Sequence, residues 1–412
     1  MSYINIRAQQ LNNATPIDAL VIGSGIYGLH LAEKLKNKNI KHRVVAKNYY
    51  LDYEDEFYSK TNENIKMASI ANYAKLDLGY DYANTITENE IKHNIKNYKK
   101  FKKEFKNELL DTQEINNIYC YAEKDNNKYA LNNSNWYSTN MLISQNLKVS
   151  DGKDYDLNGL ELKNVKGVQN VVTPIVDTFK MMERKTYNYL KNSEKTNPEG
   201  IILSEIEAVV RKDNHWYVSL KNNSEIYKVK YIFNCTYTNL KQIEKIFKAS
   251  TDLNINKYEI REIPMLTGGI ADKNNLKKNA LTIFERENML SIRPLNLSQN
   301  TKSQKPSAWV LEDNKHLIHK SSDNFNIIMR YFNESIFQSN RKTAFAEFEK
   351  YIPPLDIEKS NKFKKSMYTI KINDDKDKKL NIYNDNTNTF FSILGKKLLN
   401  IYDLDNFINK LF

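Results

Sequence analysis

The chain has 412 residues, 27% of them charged and 11% aromatic, with a formal charge of +12 from 62 Lys+Arg against 50 Asp+Glu. Its length allows two or three domains, or one elaborated two-domain enzyme; a mean hydropathy of -0.68 and the lack of any apolar run near the roughly 20 residues of a bilayer span exclude a transmembrane helix. The basic excess is almost all lysine, mixed with acids and asparagine, and arginine, the residue of phosphate forks and base edges, is scarce, so the composition argues against a nucleic-acid partner.

Residues 1–16 are polar and lack the basic-then-apolar order of a secretory signal. Two cysteines, Cys120 and Cys235, stand without CxxC spacing; they fit a reducing compartment, give no metal framework, and lead us to expect a cytoplasmic protein. The first element carries the most information. An apolar run, Ile17–Ile22, enters the cluster Gly23-Ser24-Gly25-Ile26-Tyr27-Gly28 and leaves as an amphipathic segment through Leu35, which is a strand, a tight turn and a helix. The three glycines fit the dinucleotide fingerprint: the first makes the turn, the second lets a pyrophosphate approach the backbone, and the third packs helix on strand. A diphosphate then lies on the helix N-terminus, where free N–H groups and the helix dipole favour negative charge.

The second strand, Arg43–Ala46, departs from that pattern. An acid that binds the adenosine ribose hydroxyls is expected at its end, and this chain has Lys47. Lysine only donates. Either backbone and other side chains hold the ribose, or the cofactor carries an extra phosphate there, or binding is weakened.

A turn-rich stretch, 49–83, leads to a helix expected over Glu88–Leu110. Its apolar residues Ile91, Ile95, Tyr98, Phe101, Phe105 and Leu109 recur at three- and four-residue steps, which puts the lysines of 92–106 on the wet face. Tyr119–Ala122 reads as a short strand and 151–167 as loops or a hairpin. Pro174 is expected to open a helix through Tyr189, followed by one strand, Ile201–Val210. His215–Leu220 and Ile226–Phe233 alternate around the turn residues Asn222-Asn223 and form a meander. The second of these runs ends in Asn234-Cys235-Thr236-Tyr237, small and polar residues at a strand's carboxyl end, where an open α/β sheet contacts its ligand. Residues 257–317 read mainly as strands and Asn324–Tyr351 as a helix stopped by Pro353-Pro354. Strands Met367–Ile372 and Thr389–Leu394 then lead through Gly395-Lys396-Lys397 into a closing helix, Leu398–Leu411. Both ends of the chain thus have the logic of a nucleotide-binding domain, and the middle is antiparallel in character.

Four segments, in order, resemble the FAD-dependent oxidoreductases of the D-amino-acid oxidase and glycine oxidase superfamily. They are the glycine cluster, Ala68–Tyr82, Tyr231–Tyr237 and Phe390–Lys397. The resemblance implies an α/β protein with a discontinuous Rossmann-like FAD-binding domain (1–83, 168–250 and 356–412) and an α+β substrate domain with a mainly antiparallel sheet (84–167 and 251–355). It implies FAD as the cofactor, cradled by Gly23, Ser24, Gly25, Ile26, Tyr27 and Gly28, with Lys47 at the ribose end. It further implies Ser69, Asn72 and Ala74 beside the flavin, a backbone clamp on adenine around Val209, and Gly395, Lys396 and Lys397 at the pyrimidine edge of the flavin, where reduction places negative charge. A sub-branch of that group favours an arginine and histidines where this chain has Lys75, Asp77 and Asp81, so the substrate is not specified by these positions.

Hydrolytic and metal signatures are absent: there is no HExxH, no GxSxG and no paired Cys/His spacing. His316 and His319 lie three apart with no third ligand near them in sequence, so no metal is expected, and His30 is expected on the surface of its helix. Arg293, alone on the strand-like run Leu290–Pro294, is the candidate for a substrate carboxylate, with Tyr80, Tyr82 and Tyr237 as pocket residues by analogy. No catalytic side chain is identified, which fits chemistry carried by a flavin. The expected function is oxidation of a C–N or C–O bond in a small polar substrate, an amine or amino acid by resemblance. The alternatives are a binding or scaffold protein that keeps the fold, and an NADP-dependent dehydrogenase.

Overall fold

The computed structural model describes residues 11–48, 88–109, 116–122, 149–150, 163–171, 175–191, 200–249, 258–269, 279–285, 288–295, 308–313, 318–320, 363–372, 380–395 and 397–412, with residues 69, 76, 195–197, 251, 346 and 349–351. The expected helix 324–351, and Asn72, Ala74, Lys75, Asp77, Tyr80, Asp81, Tyr82 and Lys396, lie outside or largely outside these residues.

The nucleotide-binding start is as expected: β1 (Thr15–Ile22), α1 (Ile26–Asn37) and β2 (His42–Ala46). Helix α2 runs over Glu88–Glu104, then β3 (Asn116–Ala122), β4 (Val149–Ser150) and β5 (Val165–Val171). Ile91, Phe101 and Phe105 of the α2 segment are buried, while Lys92, Lys96, Lys99, Lys102, Lys103 and Lys106 are exposed. The basic run is therefore the wet face of an amphipathic helix.

Helix α3 spans Thr178–Leu190, not a segment opened by Pro174. The Asp177 side chain accepts from the Lys180 amide at 3.0 Å, a cap that fixes the first turn there, and Val176 is left to bridge Leu109. The expected single strand 201–210 is two strands, β6 (Ile201–Leu203) and β7 (Ile206–Lys212), because the halves have different partners: β6 pairs in parallel with β2, and β7 pairs antiparallel with β8 (His215–Leu220). After β9 (Ile226–Asn234) come a 3₁₀ turn (Tyr237–Asn239) and α4 (Leu240–Phe247). The next strands are β10 (Tyr258–Gly269), β11 (Asn279–Glu285), β12 (Asn288–Leu295), β13 (Ala308–Asp313) and β14 (Ile318–Lys320). The chain closes with β15 (Phe363–Ile372), β16 (Asn381–Asn384), β17 (Phe390–Leu394), a 3₁₀ turn (Leu398–Tyr402) and α5 (Asp403–Leu411).

These strands form two sheets. The first has the path β16-β17-β9-β1-β2-β6, with β8 and β7 branching from β9, and its central pairs β17/β9, β9/β1, β1/β2 and β2/β6 are parallel. The second has the path β14-β10-β13-β12-β11-β3-β5-β4, with β15 beside β10. It is antiparallel except for the β11/β3 pair. Strand β15 lies in this second sheet although its residues fall within 356–412.

Alternation along β1 sends its side chains to two cores. Ala19 and Val21 pack with Leu29, Leu31 and Leu35 of α1, Met181 and Met182 of α3, and Leu404 and Ile408 of α5. Leu20 and Ile22 pack with Ile206, Trp216, Val218 and Leu220 of the β7–β8 ribbon. The parallel sheet is thus sandwiched between helices and ribbon, and its buried strands read as continuous apolar runs for that reason. Among the described residues no helix is long and apolar enough to cross a membrane.

Candidate cofactor site

The β1–α1 turn sits where the sheet's strand order reverses: β1 has β2 on one side and the later strand β9 on the other. The crevice outside the carboxyl ends of the strands at such a point is where open α/β sheets take ligands. The turn is pinned on both flanks, since Gly23 N donates to Val45 O at 2.7 Å and Cys235 N to Ile22 O at 2.8 Å. Gly23 has φ +104° and a Cβ there would lie 2.8 Å from Cys235 O, while a Cβ on Gly28 would lie 1.9 Å from Gly23 O. Only glycine allows this turn and helix to cross so closely.

Gly25 caps α1 in extended conformation (φ -68°, ψ 177°) without a side-chain bond. Among the described residues its close neighbour for an added Cβ is Ser69 Oγ at 3.2 Å, and the same hydroxyl accepts from Ile26 N at 3.0 Å. Ser69 Oγ therefore stands where an anionic oxygen would sit on the helix N-terminus. Ser24 Oγ donates to Asn48 O at 3.3 Å. A bare-backbone turn with a lone hydroxyl on its first helical amide fits the diphosphate of a dinucleotide, including FAD.

The closing turn meets this site. The Tyr27 hydroxyl donates to Lys397 O, and a Cβ on Gly395 would lie 1.7 Å from Tyr27 Cζ. Burial, then Asp403 and Tyr237, push the Tyr27 phenol well above its usual range, so it is a neutral donor. Tyr237 occupies the left-handed region at φ +52°, a conformation that costs a non-glycine residue energy and clusters at functional sites. At the end of β9, Asn234 Nδ2 donates to Leu240 O at 2.9 Å, its Oδ1 accepts from Thr236 Oγ1 at 2.6 Å, and Ser392 Oγ donates to Glu244 Oε1 at 2.6 Å. This buried relay fixes the carboxyl ends of β9 and β17 beside the turn.

Of the residues singled out in the sequence, the structure brings together Gly23–Gly28, Ser69, Tyr237, Gly395 and Lys397. Lys47 lies just past β2, where its ammonium is 2.9 Å from Glu205 Oε1. Val209 lies in β7 and its side chain packs against the ribbon core, not at the glycine turn. Arg293 pairs with Val310 in the second sheet; its side chain lies outside the described residues.

His30 is not on the helix surface: it is 1% exposed, with Nε2 2.9 Å from Asp405 Oδ1. Burial lowers its pKa, so a neutral ring donates to Asp405 through Nε2. Beside it, the Lys185 ammonium, 1% exposed, bonds Glu33 and lies 2.7 Å from Glu104 Oε1, and Tyr402 OH donates to Glu104 Oε2 at 2.8 Å. His30, Glu33 and Glu104 have the spacing of a metal-ligand group, but the Lys185 ammonium already pairs with both carboxylates. Glu205 and this buried cluster were not picked out in the sequence.

The two-sheet architecture with a glycine turn at the switch point is the fold of the FAD-dependent oxidases that the sequence motifs resemble. It is shared with L-α-glycerophosphate oxidase from Mycoplasma pneumoniae, solved with FAD bound (TM-score 0.64, 13% identity, 96% of this chain and 93% of that one). It is also shared with glycine oxidase from Geobacillus kaustophilus (0.63, 10%, 97% and 95%) and L-proline dehydrogenase from P. horikoshii (0.62, 13%, 96% and 94%). No protein-family model and no curated protein sequence matches the chain.

Proposed function

We propose that the chain is an FAD-dependent oxidoreductase that oxidises a C–N or C–O bond of a small polar substrate, an amine or amino acid first among them. The observation that supports this reading is the β1–α1 turn, whose glycines bring α1 against β1 and β9 so closely that no Cβ fits at Gly23 or Gly28, with the α1 N-terminus at the carboxyl edge of the parallel sheet. Two of the fold's neighbours are named for amino acids and one for a glycerol phosphate, which is why C–N bonds come first and C–O bonds stay within the class. The five-segment division into cofactor domain (1–83, 168–250, 356–412) and substrate domain (84–167, 251–355) is part of the same proposal, with β5 and β15 assigned to the substrate domain because they pair with β3 and β10 of the second sheet.

When bound, the flavin supplies the acceptor for a substrate hydride. The chain's own residues bind and orient. In this reading the Tyr27, Ile26 and Gly28 amides hold diphosphate, Ser69 yields the Ile26 amide or turns its hydroxyl to the phosphate, and the Gly395–Lys397 turn, tied down by Tyr27, fixes the flavin end. Arg293 is the proposed anchor for a substrate carboxylate.

Purified protein should absorb near about 450 nm, or gain that band on adding FAD, and the band should bleach anaerobically with a substrate amine. A protein that neither carries nor takes up flavin overturns the reading. One observation favours a second one, a binding fold without redox chemistry: the Ser69 hydroxyl already satisfies the Ile26 amide. The same flavin titration separates the two. An NADP-dependent enzyme is disfavoured because Lys47, which would meet a 2′-phosphate, is paired with Glu205.

A further inference from the structure

The missing acid at the end of β2 has a substitute. Strand β6 is the edge of the parallel sheet and runs in parallel register with β2, Ala46 opposite Leu203. The pairing continues one step past the strands through Ser204 N to Ala46 O at 3.0 Å. Lys47 and Glu205 therefore leave the sheet side by side at its carboxyl edge, the edge that carries the glycine turn, and their side chains meet at 2.9 Å. The second Glu205 oxygen binds Lys221 Nζ at 2.6 Å. These contacts lower its carboxyl pKa, first through the Lys221 hydrogen bond and then through Lys47.

We infer that Glu205, supplied by the β6–β7 junction, is the acceptor for the adenosine ribose hydroxyls that the β2 terminus no longer provides. A carboxylate has about four lone-pair sites, and the two lysines take one on each oxygen, so both oxygens keep a lone pair for a hydroxyl. Glu205 is 39% exposed and within reach of a ligand, and Lys47 holds it in place while contributing no acceptor of its own. The same carboxylate repels a 2′-phosphate, so the pair selects an unphosphorylated ribose. This inference rests on the dinucleotide reading of the glycine turn.

The test uses calorimetric binding of FAD, ADP and 2′-deoxy-ADP to the flavin-free protein. Wild type should prefer ADP over 2′-deoxy-ADP by about tenfold, the scale of one hydrogen bond to a charged group. Glu205→Gln should bind ADP about tenfold more weakly and lose most of that preference, whereas Lys221→Met, which removes an ion-pair partner and leaves the carboxylate, should keep the preference. Wild type that binds FAD with an ADP preference unchanged in Glu205→Gln overturns this inference alone. Wild type that binds neither FAD nor ADP overturns the cofactor reading and the inference with it.

Discussion

The hydroxyl of Tyr27, the second residue of α1, donates to the main-chain carbonyl of Lys397, so an early and a late segment of the chain are tied together at the candidate cofactor site. The contact leaves no room beside it. A methyl group at Gly395 would lie 1.7 Å from the Tyr27 ring, and a packed ring cannot yield that much without moving its helix.

Gly395→Ala should therefore destabilise the protein by about 1–3 kcal/mol, the range for overpacking a closed site. In a Tyr27→Ala background most of that cost should disappear, because the obstructing ring is gone. Urea midpoints of the four proteins measure the coupling; additive effects would mean that the ring and the turn are not in contact.

The glycines of the fingerprint should separate by role. At Gly28 an added Cβ meets backbone at 1.9 Å, so Gly28→Val should fail to give a native cooperative melt. At Gly25 the backbone is ordinary (φ -68°) and among the described residues only the Ser69 hydroxyl is near, at 3.2 Å. Gly25→Val should fold with a near-native melt and take up no flavin. Flavin retained in Gly25→Val would mean that the diphosphate does not use this turn.

What was legible in the sequence was local. The glycine pattern between an apolar run and an amphipathic one is complete within about twenty residues, although its packing partners Val45 and Cys235 are not, and the wet face of α2 follows from its own period. The contacts that fix the rest are not local. His30 is buried by Asp405, 375 positions away, and Lys185 by Glu104, 81 positions away; nothing in the residues around either one signals a partner. Pro174 is a sound helix start in isolation, but the Asp177 cap outweighs it. Glu205 follows a strand of only three residues, and its value depends on the register of β6 against β2, which no single segment encodes.

Lys185→Met should be costly for a physical reason that burial alone does not give. The substitution keeps the length and apolar stem but leaves Glu33 and Glu104 without their shared ammonium, and breaking a buried pair in this way costs about 3–5 kcal/mol. Burial pushes the Glu104 carboxyl up, and the Lys185 charge and hydrogen bond, with Tyr402 and His30, bring it below its usual value. That stabilisation is present above the unfolded pKa and is lost as pH falls through the folded one. The deficit of Lys185→Met, read from urea unfolding, should accordingly be largest near neutral pH and shrink on acidification. A deficit independent of pH would assign it to packing.

Two buried groups near α3 pull the pH dependence of stability in opposite directions. Burial lowers the His42 pKa to about 4, with Nδ1 donating to Ile40 O at 2.8 Å and Nε2 accepting from Tyr189 OH at 3.0 Å. Between about 4 and 6.5 the unfolded chain binds that proton and the folded one does not, so stability rises with pH by about 3 kcal/mol. Burial raises the Asp177 pKa to about 6, against the hydrogen bond and charge of Lys180. Here the folded chain holds the proton longer, so stability falls by about 3 kcal/mol as pH rises from about 4 to 6. The contributions of these two groups oppose each other. Asp177→Asn keeps a capping side chain and removes the falling component, so its stability should climb from pH 4 to 6 more steeply than that of wild type, by about 3 kcal/mol over the window. Chemical denaturation at half-unit steps across that window measures the difference, and parallel curves for the two proteins would show that Asp177 is ionised throughout.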